Sequence, residues 1–239
     1  IYTPSLSTNS RFGSEKTSFT IRGFNQDPAT APSVGVYFAD APAPRVTSST
    51  AAGNGSGPGA FFDLQNLQVL KGPQGTLFGR NTSGGAVLIV PQRPTDKFEG
   101  YVEATAGSHD LRRVQVVLNT PISDTLRVRM GVDRNKREGF MKNMSGIGPS
   151  HFNDIDYLAG RISIIADITP DLENYTVASY SKSKTNGSLP RVFACNRDQA
   201  ATAPLVQLQC DQVDRANQRG FYTGEAALIS PYQNIEQWQ

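Results

Sequence analysis

From Phe98 onward apolar and polar residues alternate one for one, and a period of two restricts a chain to sheet with two unlike faces. Over 98–106 one face carries Phe98, Gly100, Val102, Ala104 and Ala106, and the other Glu99, Tyr101, Glu103 and Thr105. Over 112–119, Arg112, Val114, Val116 and Leu118 interleave with Arg113, Gln115, Val117 and Asn119. Over 125–133, Leu126, Val128, Met130 and Val132 oppose Thr125, Arg127, Arg129, Gly131 and Asp133. Over 157–167, Leu158, Ile162, Ile164 and Ala166 oppose Tyr157, Arg161, Ser163 and Asp167, with Ile165 on the polar side. A fifth strand is expected over Asn174 to Lys182. A face bearing Glu99, Glu103, Arg127, Arg129 and Arg161 must meet water or other polar groups. Two settings fit: a soluble sheet on a core, or a barrel wall between lipid and a polar lumen.

The connections favour the wall. Thr120 to Asp124 and Thr169 to Leu172 are short and turn-like. A long polar loop runs from Arg134 to Asp154, and a longer one, with both cysteines, follows Lys182. Short turns at one end and long loops at the other are a habit of outer-membrane barrels; Gly107 to Asp110, a short turn on the long side, departs from it.

The first ninety-odd residues have another texture. Phe19 to Phe24 reads as a strand ending at a glycine turn, and Val34 to Phe38 as another strand. Thr47 to Gly59 is a Gly/Ser/Thr-rich loop, either a linker or an exposed tip. Phe61 to Leu64 is expected to make a short helical turn before a strand over Leu67 to Leu70. That strand and the run Ala86 to Val90 bracket Gly72, Gly75, Gly79, Gly84 and Gly85. Pro91 and Pro94 then punctuate a boundary. The expected division is a small mixed α/β domain over 1–94, followed over 95–239 by antiparallel strands.

Composition excludes several functions. Lys and Arg exceed Asp and Glu by only +2 in 239 residues, with no basic run longer than Arg112-Arg113, so nothing marks a nucleic-acid binder. No run of 18 apolar residues is present to make a spanning helix, which leaves membrane strands open. The glycine block lacks the P-loop spacing, because no glycine sits at the required position before Gly79-Arg80. His109 and His151 stand in polar loops without a second ligand at metal spacing, and no paired carboxylates or nucleophile–base set stands out. Cys195 and Cys210 are the only cysteines and stand in a polar loop, which suggests a disulfide and an oxidising compartment, with two free thiols as the alternative.

Several segments together resemble the TonB-dependent receptors of the outer membrane. Ile21-Arg22-Gly23-Phe24 is similar to the family's plug motif around an Arg-Gly pair, and Val34 to Phe38 with Asp40 to the plug strand ending in an acidic turn. Lys71-Gly72-Pro73-Gln74-Gly75-Thr76-Leu77-Phe78-Gly79-Arg80 resembles the family's long glycine signature, and Gly84-Gly85-Ala86-Val87-Leu88-Ile89-Val90 the plug's last strand. Lys71 stands where arginine is more usual, and Ala39-Asp40-Ala41 where Asp-Gly is more frequent. The resemblance implies a plug over 1–94 lacking its front part, then the first strands of an incomplete transmembrane β-barrel, with a sixth strand starting near Gln237. It implies active transport of a scarce ligand, an iron–siderophore-type chelate, across the outer membrane of a Gram-negative bacterium. The implied partners are the TonB–ExbB–ExbD complex and outer-membrane lipid, with no cofactor, metal site or catalysis. By the same resemblance Arg22, Gly23, Lys71, Gly72, Pro73, Gln74, Gly75, Gly79, Arg80, Gly84 and Gly85 would carry gating, with Arg22 and Lys71 either forming ion pairs within the plug or to the wall or standing solvated. A secreted or surface β-rich binding protein, such as an adhesin, is the alternative.

Overall fold

A computed structural model describes residues 3–9, 18–24, 32–43, 47–48, 51–52, 60–189, 191–200, 203–226 and 233–238. Its N-terminal strands are β1 (Leu6–Asn9), β2 (Ser18–Ile21), β3 (Val34–Phe38), β4 (Ala41–Pro42), β5 (Thr47–Ser48), β6 (Ala51–Ala52) and β7 (Leu64–Lys71). A one-turn helix α1 (Gly75–Phe78) and β8 (Gly85–Pro91) follow. Then come β9 (Glu99–Gly107), β10 (Leu111–Ser123), β11 (Leu126–Arg137), β12 (Met141–Asn143), β13 (His151–Phe152), β14 (Ile155–Thr169) and β15 (Leu172–Thr185). Helices α2 (Arg197–Ala200) and α3 (Pro204–Arg219), β16 (Thr223–Gly224) and β17 (Gln233–Trp238) complete the order.

The first sheet runs β4-β3-β8-β7, with β3 parallel to β8 and β7 antiparallel to it. Every residue of β3 is buried, which explains its continuous apolar run. Phe19, Ile21, Val34, Val36, Phe38, Val87 and Ile89 form the core beneath. Gly85 is required where β8 begins. Its φ is 148°, and a Cβ there would stand 2.3 Å from the Leu70 carbonyl oxygen and 2.8 Å from Ile21 Cδ1.

The second sheet is a six-stranded antiparallel array, β17-β15-β14-β11-β10-β9. Its registers hold the alternating faces in phase: Val116 lies opposite Val132, and Asn119 opposite Arg129. The polar face is the buried one, with Asn119 and Asp133 at 0 % exposure, while Val132 on the other face is 48 % exposed. Val114, Val116, Met130 and Leu158 are exposed with it. A soluble sheet would bury the opposite side, so the arrangement is that of a wall with a polar interior. No helix among the described residues is long and apolar enough to cross a membrane, a statement that does not touch strands.

Several expectations are corrected. Residues 61–63 form bends and not a helical turn, and β7 begins at Leu64; the single helical turn lies instead at α1, inside the glycine segment. The first strand stops at Ile21, because the next residues turn back. Strand β10 extends through most of the expected Thr120 to Asp124 turn, to Ser123, and β11 begins at Leu126. The long loop after β11 carries β12 and β13, which join β16 in a small sheet around Met141, Phe152, Leu189 and Ala226. The cysteine-bearing segment is also more ordered than its polarity suggests. Pro204 opens α3, Gly220 caps it at φ 99°, and Cys210, Val213 and Ala216 form its narrow buried stripe. Cys195 and Cys210 are joined, their Cα atoms 5.2 Å apart. Most of the Thr47 to Gly59 loop lies outside the described residues.

Candidate functional site at the contact of the two sheets

Two local structures bear on function, and the first is the set of glycine motifs. Arg22 and Gly23 have φ of 50° and 82° and form the centre of a tight turn. Ile21 and Phe24 exchange both main-chain hydrogen bonds across it, at 3.3 and 2.9 Å. Positive φ at both central positions is what a type I′ hairpin turn needs. The turn brings Phe24 over Gly84, where a Cβ would approach Phe24 Cβ to 2.4 Å, and Ile21 over Gly85. The Arg-Gly pair and the last-strand glycines, 61 residues apart in sequence, therefore meet.

Between β7 and β8 the glycine segment is closed by its own main chain. Gly72 N–H donates to Gly84 O at 3.1 Å and Gln74 N–H to Thr82 O at 3.0 Å. The Thr82 hydroxyl donates to Gly79 O at 2.7 Å, and Tyr37 OH to Phe78 O at 2.8 Å. Lys71 and Gly75 sit at the two ends of β7 and α1, while Pro73, Gly75 and Arg80 are exposed. Among the described residues neither Arg22 nor Lys71 is in an ion pair, contrary to expectation: Arg22 is exposed on its turn, and its main-chain N–H donates to Ser5 O.

The buried ionic contact lies elsewhere, at Phe62-Asp63, just before β7. Arg129 grips Asp63 with both arms, Nε to Oδ2 at 2.8 Å and Nη2 to Oδ1 at 2.5 Å. Arg161 Nη2 donates to the main-chain oxygens of Phe62, at 2.7 Å, and Asp63, at 2.5 Å. The Arg161 guanidinium also lies 4.6 Å from the centre of the Phe62 ring. That ring fits a notch where β11 lacks a side chain: a Cβ on Gly131 would come within 2.7 Å of Phe62 Cε2. Val117, Tyr157 and Ala159 complete the apolar seat. All three charged groups are nearly dry, and removing one partner of such a pair costs about 3–5 kcal/mol.

The chain joining the two sheets is pinned at the same corner. Gln92 N–H donates to Asp63 O at 3.0 Å. Asn119 accepts from Thr95 N–H at 2.9 Å and donates to the oxygens of Thr95, at 2.9 Å, and Lys97, at 2.6 Å. Further along the wall's inner face, Asp133 accepts two bonds from Arg113 and one from Tyr157 OH, all between 2.8 and 2.9 Å. Asp63 and Asn119 were not singled out from sequence. The available signal was the charged face holding Arg129 and Arg161, which required a polar counterpart. Among the described residues no three His, Cys, Asp or Glu side chains group as a metal site would need.

Residues 2–86 match the family model of the TonB-dependent receptor plug domain. The pesticin receptor of Yersinia pestis is 42% identical over 67 residues, 28% of this chain and 10% of that protein. The ferripyoverdine receptor of Pseudomonas aeruginosa is 29% identical over 135 residues, covering 54% and 14%. In three dimensions the chain resembles the ferric yersiniabactin uptake receptor of Yersinia pestis, with a TM-score of 0.62 and 25% identity over 77% of this chain and 28% of that one. The chain thus spans roughly a tenth to a quarter of the length of these relatives. A matched plug domain thus lies against the polar face of an inside-out antiparallel sheet, the arrangement of a plug against a barrel wall. Residues 2–86 match a TonB-dependent receptor plug domain, and the strands that follow resemble the barrel strands of such receptors.

Proposed function

We propose that the receptor containing this chain carries a scarce ligand, an iron chelate of the siderophore type, across the outer membrane of a Gram-negative bacterium. TonB, driven by ExbB–ExbD, would supply the work, and no bond of the ligand would be made or broken. Residues 1–94 act as the plug and 95–239 as wall and outer loops. The reading is supported by relatives whose names record ferripyoverdine and ferric yersiniabactin as ligands.

One observation bears most on mechanism: the plug touches the wall through a dry, doubly ionic corner at Phe62-Asp63, beside its covalent exit at Gln92. A plug surface that must slide needs hydrated hydrogen bonds, which exchange at low cost. A desolvated ion pair suits a part that stays. The corner is therefore the plug's anchor. The far side, with the Arg22-Gly23 turn and the Lys71 to Arg80 signature, has no such tie among the described residues and is the part that moves. Gly72, Pro73, Gln74, Gly75, Gly79, Gly84 and Gly85 shape that part, so their role in gating is mechanical. Uptake of labelled ferric chelates by a deletion strain carrying the full-length receptor tests the reading. Uptake that needs both receptor and TonB supports it; ligand binding with uptake indifferent to TonB refutes it.

A further inference from the structure

The plug meets the wall a second time, and there the contact is not filled. The turn between β3 and β4 comes up against β15, where Phe38, Ala39 and Ala41 face Tyr175 and Val177 across an open space of about 160 Å³. Close-packed interiors leave few voids larger than one water, whose share of liquid volume is roughly 30 Å³. The Phe62 notch, by contrast, has no room for a methyl group on Gly131. The main-chain bonds of the turn stay within the plug: Ala39 N–H donates to Ile89 O at 3.1 Å, and Ala43 N–H to Val36 O at 2.9 Å. Among the described residues the Tyr175 hydroxyl is buried with no hydrogen-bond partner, a cost that a completed contact removes.

The two sides of this space are not equally fixed. On the wall, the Arg93 guanidinium lies 4.7 Å from the centre of the Tyr175 ring and pairs with Glu173, so the chain leaving the plug braces that ring. On the plug, the central residues of the turn, Ala39 and Asp40, hold φ of 47° and 64°. Hairpin turns of that shape favour glycine, asparagine and aspartate, and an alanine there carries backbone strain. At the base of the turn the Phe38 ring lies 5.7 Å from the Arg161 guanidinium, which also holds the main-chain oxygens of Phe62 and Asp63. A strained turn is thus tied through Arg161 to the anchor and borders on free space.

We infer that the plug pivots at the Phe62-Asp63 corner so that the β3–β4 turn closes onto Tyr175 and Val177 and takes up the space between them. The inference rests on the proposed reading of a plug pulled through TonB, and adds the direction of its movement, toward β15. Closing into empty space needs no dilation of the wall. It also keeps Val177 on the plug core, a contact that movement the other way would break. A packed contact and a gapped one on the same plug give it two discrete arrangements, which is what a mechanical switch requires.

The test uses the full-length receptor carrying Ala41→Cys with Val177→Cys, in cells supplied with radioactive iron as catecholate, phenolate and hydroxamate chelates. The two thiols are joined by a short bis-maleimide. Joining should be severalfold faster in cells with TonB than in cells without it, because the turn approaches β15 during the stroke. An equal rate, or a slower one with TonB, overturns the inference. Ala41→Phe fills the space from a residue exposed in the resting plug. It should keep the thermal midpoint and the binding of the imported chelate, and lower uptake about tenfold, the scale of an overpacked contact. Uptake by this variant at the wild-type rate also overturns the inference. A parent receptor that imports none of the chelates, or imports them without TonB, defeats the transport reading and this inference with it. TonB-dependent import with thiol joining indifferent to TonB defeats only the pivot toward β15.

Discussion

Arg129 and Asp63 form a bidentate pair at 2.8 and 2.5 Å, in a contact that almost no water reaches, although 65 residues separate them in the chain. The aspartate belongs to the plug and the arginine to the wall. A pair of this kind resists rupture more strongly than its net contribution to folding suggests, because breaking it strands a dry charge. On the proposed mechanism, that asymmetry would hold the corner in place while the rest of the plug moves.

Asp63→Asn removes the charge and leaves a residue that tolerates the observed φ of 50°. It leaves Arg161 buried without its carboxylate and Arg129 with only Glu99, at 3.6 Å, and the corner should weaken by about 3 kcal/mol. Cells carrying the variant should admit a bulky antibiotic that the outer membrane normally excludes. Unchanged permeability would argue against the anchor.

Gly131→Ala presses a methyl group into the Phe62 ring and comes within 3.1 Å of Val117 Cγ2. Overpacking here should cost about 1–3 kcal/mol of thermal stability, since the ring is held from behind by Arg161. Phe62→Leu should cost stability alone yet relieve much of the Gly131→Ala penalty. A double-mutant cycle with no coupling would show that the ring does not occupy the notch.

Gly85→Ala meets two obstacles at once, a backbone angle that side chains avoid and the Leu70 carbonyl oxygen at 2.3 Å. The expected loss is more than about 2 kcal/mol, read as a lower unfolding midpoint of the plug. Gly75→Ala provides the control, because a Cβ there meets nothing within 4 Å.

Glu225 holds the end of the long loop through Arg215 and Arg219. The Arg215 hydrogen bond lowers its pKa, partly opposed by desolvation, and the charges of Arg215 and Arg219 lower it further. A carboxylate depressed in the folded state contributes stability that is fully present above its unfolded pKa, about 4.3, and is lost as pH falls through the folded value. Hydrogen exchange of α3 amides should therefore be slower in wild type than in Glu225→Gln at neutral pH. The difference should vanish in strong acid. A difference that persists there would exclude the ion pair as its source.

Much of the wall was legible in advance. The alternation of Val116 and Val132 with Gln115 and Asp133 sets two faces, and a strand has no other way to express that period. What alternation does not say is which face is buried, because Arg129 and Arg161 could have met water as readily as Asp63. That choice depends on a partner drawn from a different part of the chain. Helix α3 escaped notice for another reason: Cys210, Val213 and Ala216 make too narrow a stripe among Gln, Asn and Asp to signal a helix, and only Pro204 and Gly220 mark its ends. The turn at Arg22-Gly23 was visible as a glycine turn, but its contact with Gly84 and Gly85 was not, since nothing local couples the two. Residues 61–63 misled because aromatics before a strand look like a helical turn, whereas Phe62 is spent on the wall.

The anchor is tested most directly by replacing its ion pair with a covalent bond. Asp63→Cys with Arg129→Cys in the full-length receptor should bind ligand but take it up poorly, for want of a fixed corner. Closing the two thiols with a short bifunctional cross-linker should restore uptake toward the wild-type rate. If cross-linking instead abolishes the remaining uptake while binding persists, the corner is a part that must move, and the account is wrong.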